Sequence, residues 1–80
     1  MNNMLTAAAR FPILENLLSD PDPKTRLRAA SVLAVLESGR REELLGSLQG
    51  ALSSEDIEER FCAEECLELL ALRGIEARSW

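Results

Sequence analysis

Apolar residues recur along the chain at helical spacing, in stretches separated by turn-forming residues. Met4, Leu5, Ala8 and Ala9 share one side of a short helix predicted over residues 3–10. Pro12 then follows Phe11, and a proline inside a helix removes a hydrogen bond and clashes with the preceding turn. The segment is therefore either one kinked helix over 3–19 or a break with a new start at Pro12. Ile13, Leu14, Leu17 and Leu18 continue the apolar stripe. Pro21 and Pro23 force a turn, and Asp22 before Pro23 is a good N-cap followed by a good first position. A helix is predicted over 23–38, with Ala29, Val32, Leu33 and Leu36 inward and Val35 alongside. Gly39 is expected to close it in a left-handed conformation. The next helix, over 41–52, turns Leu44, Leu45, Leu48 and Leu52 inward and carries Glu42 and Glu43 at its positive pole. Gly46 and Gly50 weaken it, by roughly 1 kcal/mol each against alanine. The last helix, over 57–73, starts from an Asp56–Glu59 capping box and ends at Gly74. Its inward residues are Ala63, Cys66, Leu67 and Leu70.

The second half echoes the first at a fixed offset. LLSDPDPKTRLRAASVLAVL, residues 17–36, returns without a gap as ALSSEDIEERFCAEECLELL, residues 51–70. Leu18 falls on Leu52, Ser19 on Ser53, Asp22 on Asp56, Arg26 on Arg60, Ala29 on Ala63, Leu33 on Leu67 and Leu36 on Leu70. Leu14 with Leu48, Phe11 with Leu45 and Val32 with Cys66 keep their character. A period in the thirties marks stacked units, each burying its apolar face on the next. Agreement at a cap and an arginine, as well as at apolar positions, argues against two unrelated amphipathic helices.

The stretch with Asp20-Pro21-Asp22-Pro23, Arg26, Ala29-Ala30, Leu33 and Leu36 resembles the HEAT-like repeat of bacterial proteins, including subunits of phycobilin lyases. Pro12 fits the proline of that family's first helix, whereas the second copy has lost both turn prolines. The resemblance covers about four fifths of the chain and bears on fold more than on function. It implies an all-α, short right-handed α-solenoid of two HEAT-like helix pairs with an N-terminal helical extension. The expected division of the single domain is 1–10 extension, 11–40 first repeat, 41–74 second repeat and 75–80 tail. It also implies structural roles for Asp20, Asp22, Arg26, Asp56 and Arg60, the arginine pairing with an aspartate of the turn.

Two repeats leave both ends of a stack uncovered, and three are usually needed. Either the N-terminal residues or a second chain must cap it, and a two-fold homodimer is expected. Residues 1–40 carry five basic and four acidic side chains, residues 41–80 four basic and ten acidic. The whole chain is acidic, at net −5, which disfavours nucleic-acid binding and permits, without requiring, a basic partner for the second repeat. No export signal or membrane span is visible, and two cysteines suit a reducing compartment, so the expectation is a small, complete, cytoplasmic protein.

Candidate chemistry is sparse. Cys62 and Cys66, four apart on one helix, have β-carbons about 5–6 Å apart, beyond the roughly 3.8 Å of a disulfide. With no histidine in the chain, they do not make a metal site; Cys66 reads as core and Cys62 as its flank. Glu58, Glu59, Glu64, Glu65 and Glu68 lie around a helix surface rather than across a cleft, so no catalytic residue and no cofactor is expected. The better candidate is a partner-binding face on the second helix of each pair. Leu27, Ala30, Ser31 and Ala34 would contribute from one copy, and Phe61, Glu64, Glu65 and Glu68 from the other. Leu27 and Phe61 would be its anchors; the competing readings of the same face are a dimer seam or a contact with the N-terminal helix. The sequence thus reads as a non-catalytic protein-interaction or assembly module, with an accessory partner of a phycobilin-type lyase as the alternative and a DNA-associated solenoid as a poorer third.

Overall fold

The computed structural model describes residues 10–76. The helix expected over 3–10 and the end of the tail, with Trp80, lie outside the described residues save for Arg10. Pro12 opens α1 (Pro12–Leu17), where its missing N–H is no loss and its fixed φ suits a helix start. Phe11, ahead of it, is non-helical at φ −136° and ψ 72°. Of the two readings of the proline, a fresh start is therefore the one found.

α2 (Pro23–Leu36) follows the proline turn, then a 3₁₀ turn (Ser38–Arg40), α3 (Arg41–Ala51) and α4 (Ile57–Leu72). The described residues are all-helical, without a strand. α2 stops two residues earlier than expected, and Gly39 lies inside the 3₁₀ turn with no left-handed φ. Its last carbonyls are held instead by Arg41, whose Nε donates to Ala34 O at 2.8 Å and Nη2 to Val35 O at 3.4 Å. The left-handed closure is at Gly74, φ 83°. There the Gly74 N–H donates to Ala71 O and the Ile75 N–H to Leu70 O, both at 2.9 Å, and Ile75 folds back onto the core.

The turns before α2 and α4 share their hydrogen bonds at the thirty-four-residue offset. Asp22 sits at φ −81°, ψ 117° and accepts from the Lys24 N–H at 3.0 Å. Asp56 sits at φ −81°, ψ 116° and accepts from the Glu58 N–H at 3.0 Å. Each satisfies one of the donors a helix start leaves free. Arg26 Nη1 donates to Asp20 O at 2.6 Å and Arg60 Nη1 to Ser54 O at 3.0 Å. Both arginines thus bind main-chain carbonyls, not the turn carboxylates expected for them. Asp20 Oδ2 accepts from the Asp22 N–H at 3.0 Å, and Ser54 Oγ does the same for Asp56 at 3.1 Å. Glu59 does not close a capping box: its carboxylate accepts from Ser54 Oγ at 2.9 Å, and the serine serves the N–H in its place.

α2 is the central helix, packed by α1, α3 and α4. Leu33 from α2, Leu48 from α3 and Leu67 from α4 are the largest fully buried side chains. Complete burial of a leucine contributes about 1.5–3 kcal/mol each. Around them lie Leu27, Ala30, Ala34, Leu44, Leu45, Cys62, Cys66 and Leu70. The expected inward face of α2 needs correction: Val32 and Leu36 are 44% and 45% exposed. Cys62 is as deep as Cys66, not a flanking residue. The equivalence of Val32 with Cys66 therefore holds in sequence and fails in burial, since Cys66 is 5% exposed. Gly46 and Gly50 are solvent-facing, with nothing within 4 Å of where a β-carbon would stand, so no close helix approach explains them.

Candidate functional site

The eight residues expected to share one partner-binding face do not. Leu27 is 7% exposed, and Ala30 and Ala34 are buried with it beneath α3 and α4. Ser31 is half-buried, its hydroxyl donating to Arg28 O at 2.8 Å. Phe61 is 62% exposed, and Glu64, Glu65 and Glu68 stand in solvent beside it. Leu27, Ala30 and Ala34 of α2 are packed in the core, whereas Phe61, Glu64 and Glu68, thirty-four residues on, are exposed on α4. The face is therefore half core and half surface, and Leu27 is no anchor.

What remains open is the outer face of α4 and the seam between α4 and α2. Phe61, Glu65, Glu68 and Leu72 follow one another down a single stripe of α4, with Leu69 beside them. Phe61, Leu69 and Leu72 are all exposed large apolar side chains. Along the seam, the C-terminal half is an apolar groove of about 270 Å³ lined by Val32, Val35, Leu36, Leu69 and Leu70. The N-terminal half, about 210 Å³, is charged, with Lys24 and Arg28 facing Glu58 and Glu65 and Phe61 between them. Lys24 Nζ donates to Glu58 Oε1 at 3.1 Å, and this bond, with the carboxylate's charge, raises the lysine's pKa. The pair is solvent-exposed and is a weak tie between the helices.

A larger cleft, about 520 Å³, opens on the other side, between the two turns and α3. Its cations are engaged: Arg26 on main-chain carbonyls, Arg40 on carboxylates. Arg40 bonds Glu15 of α1, Glu37 at 3.3 Å and, more loosely, Glu43 of α3 at 3.8 Å. The Glu15 hydrogen bond raises its pKa further, against the cost of burial. This hub escapes a reading of the repeat because the second copy has Gly74 in its place; the signal present was Glu37 and Glu43, each three residues from Arg40. Arg41 and Ser54 were likewise missed, as both act through local main-chain geometry.

Cys62 and Cys66 are free thiols, their Sγ atoms 3.9 Å from Lys24 O and Leu27 O on α2. Burial pushes the Cys66 thiol up to about 11, away from the thiolate that reacts. No cluster of metal-binding side chains occurs among the described residues. No helix described is long and apolar enough to cross a membrane. In comparisons with known proteins, no family model, no curated protein and no solved structure matches this chain.

Proposed function

We propose that the chain is a small non-catalytic protein-interaction module that binds through the outer face of α4. The observation that carries this is the run of exposed Phe61, Leu69 and Leu72 interleaved with Glu64, Glu65 and Glu68. Exposed apolar side chains in contiguous patches mark interaction surfaces more often than scattered ones do. The glutamates favour a partner that presents lysine or arginine beside aliphatic side chains. We read the two helix pairs as tandem HEAT-like repeats in a short stack, supported by the matched turns around Asp22 and Asp56. On that reading the binding face is an uncovered end of the stack, in a cytoplasmic protein.

The test is affinity capture by the full chain from its native host, side by side with Phe61→Ala and Leu69→Ser. A partner that elutes with salt and is missing from both variants supports the reading. Identical captured sets from all three proteins would overturn it.

A further inference from the structure

Resting on that reading of α4, we propose that the partner is a second copy of the chain, added head to tail. Its α1–α2 side would cover α4 as α3 and α4 cover α2 within one molecule. The molecule already makes this contact once. α2 offers Leu27, Ala30 and Ala34, and α4 lays Cys62 and Cys66 against the α2 backbone at 3.9 Å. Thirty-four residues before Cys62, Cys66 and Leu70 stand Arg28, Val32 and Leu36, all exposed. Thirty-four residues after Leu27, Ala30 and Ala34 stand Phe61, Glu64 and Glu68, again exposed. Each molecule carries both halves of one interface, one on α2 and one on α4, each exposed among the described residues.

Charge suits the two ends to each other. Placed where Cys62 lies against Lys24 O, the incoming Arg28 falls beside the position thirty-four past Lys24, which is Glu58. A guanidinium there has a carboxylate to bond. Val32 and Leu36, at the positions of Cys66 and Leu70, turn toward Leu69. Arg10 takes the position of Leu44, which shares a cleft with Leu27 and Ala30, and so falls beside Phe61 and Glu64. A two-fold pairing of α4 on α4 would instead set Glu64, Glu65 and Glu68 against their own copies, a like-charge juxtaposition. The head-to-tail contact joins two different surfaces, so each addition leaves an end free and the assembly is not limited to a closed pair.

Sedimentation velocity of the full chain at low salt tests this. The weight-average mass should climb with concentration beyond twice the 8.9 kDa of one chain, without a plateau there. Phe61→Glu blocks one end and Val32→Glu the other, and each alone should weaken association by about tenfold or more. An equimolar mixture of the two should form a one-to-one pair and nothing longer, because one intact end of each remains. Both sites are exposed, and far-UV circular dichroism verifies the fold; if Val32→Glu loses helicity, Arg28→Glu replaces it. A mass fixed at one chain overturns the inference, as does a plateau at two chains with no pairing in the mixture. In either case a captured partner lost in Phe61→Ala leaves the broader interaction reading standing, whereas its absence removes that reading too.

Discussion

α2 and α4 begin alike and end in different surroundings. Both start from an aspartate cap with the same backbone angles, and both place an arginine on a carbonyl of the preceding turn. Yet Leu27 is core and Phe61 is surface, while Cys66 is core and Val32 is surface. The two helices have exchanged their open and covered sides. Sequence register decides where a side chain points; only the presence of a neighbouring helix decides whether it is buried. Composition follows the environment: the covered side of α2 carries Leu27, Ala30 and Ala34, and the equivalent open side of α4 carries Phe61, Glu64 and Glu68.

The sharpest way to break the comparison is to truncate its two aligned apolar residues, Leu27 and Phe61. Leu27→Ala should cost about 2–5 kcal/mol by urea unfolding, and Phe61→Ala, at low protein concentration, only about 0.5 kcal/mol or less. Equal losses would mean that α4's outer face is covered after all. Next in size are the caps, where Asp22→Ala and Asp56→Ala should each cost about 1 kcal/mol. Because the cap geometries coincide, the two losses should agree closely, and a clear inequality would undo the equivalence of the turns. The smallest effect at neutral pH belongs to Cys66, opposed in register by the non-titrating Val32. Burial raises its pKa from 9.0 to about 11, so the unfolded chain loses the proton first. The stability this thiol contributes is fully present below about pH 9 and fades as pH rises through about 11. Urea midpoints in that window should fall more steeply for the wild type than for Cys66→Val, and parallel slopes would rule out this titration.

Local features were legible in the sequence because their causes are local. Pro12 allowed a helix start, Asp22 and Asp56 marked caps, and Gly74 marked a closure, each within a few residues of its effect. The faces of α2 were less legible. Leu27, Ala29, Ala30, Val32, Leu33, Ala34, Val35 and Leu36 distribute small and apolar side chains around most of the helix, so periodicity alone selects no single inward side. Treating Leu27 and Phe61 as companions assumed equal surroundings for equal positions, whereas Leu27 is buried and Phe61 is exposed. The acidic side chains gave the better signal: Glu64 and Glu68 replace two alanines that α2 buries.

The arginines of the two turns carry one more implication. Arg26 and Arg60 are anchored on oxygen atoms that every amino acid supplies, with Asp20 lending the atom in one turn and Ser54 in the other. An anchor of this kind cannot be deleted by changing the residue that provides it, and acid does not titrate it away. Drift at positions 20 and 54 can therefore proceed while the clasp persists, and among descendants of this chain the arginine should outlast the identity of whatever it holds.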